Sequence, residues 1–104
     1  MVYTFYKITC NSVDVDSVYI GFTKHFAQKK RDHKMKSLFE TNTNKLYTTI
    51  RAHGSFKKNW TMEVIESSAC ESLVDAKKPE RYLCEVWKAD LNAAPKNGKK
   101  GINK

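Results

Sequence analysis

Negative charge is scarce in this chain. Of 104 residues, 11 are Asp or Glu against 19 Lys or Arg, a net charge of +8. In so short a chain that excess points to a polyanionic partner, nucleic acid ahead of an anionic membrane, with a plain basic surface as the alternative. Cysteine is scarce too. Cys10, Cys70 and Cys84 are odd in number and lack C-x-x-C spacing, which argues against a disulfide framework and against a zinc site. They are expected to be reduced thiols in an intracellular protein, with Cys84 in the core and Cys10 at a strand end or in a loop. No apolar run reaches the length of about 18 residues that a bilayer span needs, so no membrane partner is expected. No apolar segment near the N-terminus resembles a signal peptide. A phosphate-cradling glycine loop and a nucleophilic serine motif are both missing. Asp14 and Asp16 form a D-x-D, but no glycine and later glutamate complete a calcium loop. His25, His33 and His53 lack zinc-ligand spacing.

What is present is a single globular domain. Apolar content of 40% and charged content of 29% suit one modest core. Residues 2–9 and 17–22 are rich in Val, Ile, Tyr, Phe and Thr and predict two strands. The polar loop Asn11–Asp16 between them makes an antiparallel hairpin. Gly21 interrupts the second strand, where a glycine marks close approach of a ligand or of backbone. From Lys24 to Phe39 the pattern turns helical, with Phe26, Ala27, Met35, Leu38 and Phe39 as its expected buried stripe. Asn44 is a good N-cap for a short helix over 45–53, which Gly54 closes. Trp60–Ile65 reads as a third strand, and residues 72–91 as a last helix. Pro79 lies inside that helix, so either it kinks there or Pro79 opens a second piece. The expected order is β-β-α-α-β-α, an α+β domain over residues 1–92 with a small three-stranded antiparallel sheet flanked by helices. Residues 93–104 read as a basic, extended tail, either a nucleic-acid-contacting arm or a solvated end.

The sharpest anomaly is Glu80. Ala76, Leu83, Cys84, Trp87 and Leu91 follow helical spacing around it, so Glu80 falls on an apolar face, whereas Glu85 falls on the opposite side. A carboxylate there is costly unless it is paired with a cation or bound to a metal. The two readings are a buried ion pair and a ligand for a hard divalent ion, which commonly takes only one or two protein carboxylates. Tyr6 and Tyr19 stand on paired strands just before a basic helix. Phenols facing a cation cluster are expected to have lowered pKa values, and a phenolate could act as general base on water. Lys29, Lys30, Arg31 and Lys34 cannot all face one site, since successive helical residues point about 100° apart. Two or three of them would meet a phosphate. His33, four residues after Lys29, is either a surface histidine or a hydrogen-bond donor or acid near neutral pH.

That constellation, in that order, resembles the GIY-YIG nuclease domain, notably the small forms of phages and large DNA viruses and the catalytic domain of homing endonucleases. Thr4-Phe5-Tyr6 keeps only the tyrosine of the first motif, while Tyr19-Ile20-Gly21 keeps the second intact. The stretch from Asn44-Lys45-Leu46-Tyr47 through Ile50-Arg51, Gly54 and Asn59-Trp60 is also similar, as is Glu80-Arg81-Tyr82-Leu83 with Trp87 and Leu91-Asn92. The resemblance spans residues 3–92 and implies hydrolysis of DNA phosphodiesters with one divalent ion, Mg²⁺ or Mn²⁺. Carried over, Tyr6 and Tyr19 flank the attacking water, with Tyr6 favoured as the base. Glu80 binds the metal, which stabilises charge on the phosphate and the leaving oxygen. Asn92 and Gly21 are positioning residues, and His33 matches the histidine of the first helix. The family's phosphate-clamping arginine falls at Lys29, not at Arg31. Lysine supplies charge without the planar two-pronged grip, so lower activity than an arginine version is expected. Lys29, Lys30, Arg31 and Lys34 are the expected DNA contacts. Such binding is expected to run mainly through phosphates, salt-dependent and weakly sequence-selective. Double-strand cutting would need a homodimer or two successive nicks. The competing implication is a nucleic-acid-binding module of the same fold that has lost catalysis.

Overall fold

A computed structural model describes residues 2–92; the expected basic tail, 93–104, lies outside them. The chain runs β1 (Val2–Cys10), β2 (Val18–Thr23), α1 (Phe26–Ser37), α2 (Lys45–Ala52), α3 (Phe56–Asn59), β3 (Trp60–Ala69) and α4 (Leu73–Trp87). The fold is α+β. Its antiparallel sheet has the order β2-β1-β3, which puts β1 in the centre. The order differs from the sequence expectation by one element, the single turn α3. Ser55 starts it by accepting a hydrogen bond from the Lys58 N–H.

The period of two along β1 distributes its side chains between two cores. Tyr6 and Ile8 face α2 and α3 and pack with Leu46, Tyr47, Ile50, Phe56, Trp60 and Met62. Tyr3 and Phe5 face α4 and pack with Val18, Ile20, Ala76 and Leu83. Both faces of the central strand are therefore buried, at Tyr3 and Phe5 on one side and Tyr6 and Ile8 on the other. Tyr19 joins the Tyr6 face. Register between β1 and β3 shifts at Phe5/Tyr6, where Phe5 pairs with Glu66 but Tyr6 with Val64. The skipped Ile65 is a bulge, a device that re-aims nearby side chains.

Helix α2 starts as its cap predicts, with the Asn44 side chain accepting from the Leu46 N–H at 3.0 Å. Gly54 follows its end at φ +102°, the left-handed region that favours glycine. Helix α4 is one element with Pro79 inside it, and ends at Trp87 rather than Leu91. Lys88 turns left-handed after it, and residues 90–92 then lie along the outer edge of β2. The Leu91 N–H donates to the Val18 carbonyl, and the Asp90 carboxylate accepts from the Val18 N–H.

Helix α1 departs most from expectation. Met35, Leu38 and Phe39 are 60%, 68% and 54% exposed, and Ala27 is exposed as well. Its buried residues are His33 and Ser37. Of the expected stripe Phe26 does pack inward, its ring 6.0 Å from that of Tyr6, but with almost no apolar residue between 28 and 37 the rest of the helix is held by what its polar groups bond to. Arg51 of α2 secures its end, donating to the carbonyls of Ser37, Phe39 and Asn42. Trp87, expected in the core stripe, is partly exposed with the Lys7 ammonium 3.8 Å from its ring centre.

Candidate functional site

Tyr6 is the fixed point of the site. It sits in the middle of the central strand, opposite Gly21 of β2, and is 1% exposed. Any Cβ at position 21 would overlap the Tyr6 hydroxyl and ring. The close approach expected at Gly21 is thus made by a phenol of the protein itself. The Tyr6 hydroxyl lies 2.8 Å from His33 Nε2. The opposite ring nitrogen, Nδ1, lies 2.8 Å from the Tyr47 hydroxyl. A neutral imidazole donates through one nitrogen and accepts through the other, so the three side chains form one directional chain of hydrogen bonds. The Tyr19 ring packs against both Tyr6 and His33, with centroids 6.4 and 5.8 Å away.

His33 is buried, not a surface residue. Burial, reinforced by the Lys29 and Lys36 ammonium groups and only partly countered by Asp32, pushes its pKa down to about 4. It is therefore neutral at pH 7 and can take up a proton only transiently. The expected lowering of the phenol pKa values is overturned. Burial raises Tyr19 to about 12, and the charge of Glu80 adds to the rise. Tyr6 is raised further, by burial first and then by its neighbouring phenols and Glu80. Tyr47 is raised by burial and by Asp32. The physical reason is loss of water on burial, the largest cause at each phenol, with the charges that add to it being acidic groups rather than the cations of α1. Of the basic cluster on α1, only Lys29 and Lys36 act on His33.

Glu80 comes to the site because α4 packs along β2. It is half-buried, and burial raises its pKa despite the opposing charge of Lys77. Among the described residues it makes no ion pair; the one pair formed is Lys7 with Glu63 at 3.3 Å. The ion-pair reading of Glu80 is thus not what this arrangement contains. Its charge instead acts on Tyr6 and Tyr19. No group of three or more His, Cys, Asp or Glu among the described residues could enclose a metal ion. A lone carboxylate short of compensating charge fits only an ion that keeps most of its waters and takes the rest of its ligands from substrate, which is the behaviour of Mg²⁺.

Asn92 acts on the backbone. It accepts from the Ile20 N–H at 2.8 Å and donates to the Ile20 carbonyl at 2.6 Å, bracketing the strand between Tyr19 and Gly21. Lys29 borders a shallow cleft with Thr23, His25, Gln28 and Asp32. Lys30, Arg31 and Lys34 line a different groove on the other side of α1, together with Lys57. Sequence reasoning missed Tyr47 as a partner of His33. The only available signal was its place on the buried side of α2, which does not distinguish a packed ring from a hydrogen-bonded one. Comparison with protein-family models, with curated proteins and with solved structures gives no match.

Proposed function

We propose that the protein is a divalent-metal-dependent DNA endonuclease of the GIY-YIG type, or the catalytic module of one. The observation that carries this reading is the buried chain Tyr6–His33–Tyr47 beside Tyr19, with an unpaired half-buried carboxylate acting on both phenols. Glu80 raises the cost of ionising both phenols, and a half-buried carboxylate without an ion-pair partner is an arrangement that a bound cation would compensate.

The phenols are protonated at neutral pH, so Tyr6 can accept the proton of an attacking water only as its own proton departs. His33 Nε2 lies within hydrogen-bonding distance to receive it, in the tautomer whose Nδ1–H donates to Tyr47. Tyr19 helps exclude bulk water from that pair and offers its hydroxyl to the nucleophile. Lys29 supplies positive charge for the scissile phosphate on the side of α1 that carries His33. Glu80 would hold Mg²⁺ or Mn²⁺, and the bound ion supplies charge stabilisation for the phosphate and the leaving oxygen.

Plasmid nicking in Mg²⁺, with wild type beside Glu80→Ala and Tyr6→Phe, tests this. Wild type should convert supercoiled plasmid to open circles, and each variant should lose about 10²-fold or more of that rate. A wild-type protein that leaves plasmid intact while still retarding it on a gel would replace the nuclease with a binding module of the same fold.

A further inference from the structure

On the side of α1 away from Lys29 the molecule has a second concavity. The positions Ala27, Lys30, Arg31 and Lys34 recur at helical spacing and form one stripe. Across from them stand Lys57 of α3 and the start of β3. The groove between has a volume of about 510 Å³. Its apolar lining is Phe56, Trp60 and Met62, all buried residues of the core behind it. Four cations therefore rim a floor that is largely aromatic and aliphatic. A site for bare phosphate needs no such floor, and a site for an apolar ligand needs no such rim. One further observation concerns the wall. Trp60 is 4% exposed, and its indole N–H is the one buried side-chain donor among the described residues that lacks an acceptor.

We infer that this groove binds an unpaired nucleotide of a nucleic-acid strand, its phosphates on Lys30, Arg31, Lys34 and Lys57 and its base against Phe56, Trp60 and Met62. A base is flat and apolar on its faces, which matches a floor of aromatic and aliphatic side chains rimmed by cations. The cations are spread along two elements rather than gathered at one point, which suits a strand passing through better than a single free anion. The inference rests on nucleic acid being the ligand in the proposed function but not on cleavage. The groove does not include Tyr6, Tyr19, His33 or Glu80. It would hold the strand beside the site and make the protein prefer DNA with unpaired nucleotides.

Trp60 itself reports on the site once Trp87, the other tryptophan, is replaced. In a Trp87→Phe protein, an oligothymidylate of about ten nucleotides, within the usual range for single-strand binders, should quench and shift the Trp60 emission. An abasic oligomer of equal length and charge should bind at least tenfold more weakly, and so should thymidine monophosphate. Arg31→Glu with Lys57→Glu, both at exposed positions, should weaken the oligothymidylate at least tenfold with an unchanged melting temperature. Equal binding of the abasic oligomer would overturn the base-binding assignment. Thymidine monophosphate binding as tightly as the oligomer would overturn the strand assignment. An unaffected double variant would overturn the groove itself, leaving the nuclease reading standing. Loss of plasmid nicking in all proteins with groove binding intact would overturn only the nuclease.

Discussion

His33 at neutral pH is an uncharged ring held between two phenols, and this has a consequence for stability. Its folded-state pKa, about 4, lies below the ordinary value of 6.5. A depressed basic group favours the fold when it is unprotonated. Its contribution is complete above about pH 6.5 and is withdrawn as pH falls toward 4, where the unfolded chain takes up a proton that the folded chain refuses. At about 1.36 kcal/mol per unit, the loss approaches roughly 3 kcal/mol at the acid end. Melting temperatures measured from pH 7 to pH 4 should therefore fall more steeply for wild type than for His33→Gln. Parallel curves would mean that the ring is protonated in the fold. Lys29 acts at the same scale. If it faces the scissile phosphate, Lys29→Arg adds the planar two-pronged grip. Cleavage should then rise by about tenfold, equivalent to about 1.4 kcal/mol of transition-state stabilisation. An unchanged rate would place Lys29 away from the phosphate. Residue chemistry alone misjudged the phenols, because burial, which removes the water that would stabilise a phenolate, outweighs the nearby cations.

Among the elements, α1 is the one whose placement the site depends on. It carries His33 inward, Lys29 to one side and three groove cations to the other, yet it has almost no apolar stripe of its own. Its position is held by Phe26 against the core, by the hydrogen bonds of His33 and by Arg51, whose guanidinium meets three carbonyls at the end of α1 and the turn after it. The Ser37 carbonyl is an orphan acceptor of the helix terminus, where a cation is also favoured by the helix dipole, and the other two belong to the turn that follows. Arg51→Ala should cost about 2 kcal/mol, in the range of bonds to a charged group, and lower the melting temperature by about 10 °C. Arg51→Lys should recover little of it, since one ammonium cannot span three carbonyls. Calorimetry of the three proteins checks this; equal stability of wild type and Arg51→Ala would show that α1 is held without Arg51, by His33 and Phe26. The strands were more legible than this helix. Alternating β-branched and aromatic residues in 2–9 and 17–22 have few outlets other than a buried hairpin. The short turn α3 carries no periodicity, and its Ser55 cap is the only local signal of it.

At the scale of the whole molecule, an excess of positive charge is divided over α1 and α3 instead of forming one patch. Lys29 lies on one side of α1; Lys30, Arg31, Lys34 and Lys57 line the groove on the other. If all five engage phosphates, the logarithm of the binding constant for single-stranded DNA should fall with the logarithm of salt at a slope of about −3.5, near −0.7 per phosphate. Removing Arg31 and Lys57 should bring the slope to about −2. A slope that ignores these substitutions would move the phosphate track elsewhere. Much of this was available from composition and pattern. Net charge, the two apolar strands, the capped helix α2 and a carboxylate at helical spacing among Ala76, Leu83 and Cys84 follow from residue type and period, which are properties of a linear chain. Other features belong to the packed molecule alone. They are the union of Tyr6 with His33 and Tyr47 across 27 and 14 residues, the upward shift of both phenols, the bracket of Asn92 on Ile20 and the groove behind α1. The reason is physical. Which side of a polar helix turns inward, and which charges lose their water, is decided by the surfaces it packs against, and no local period encodes those.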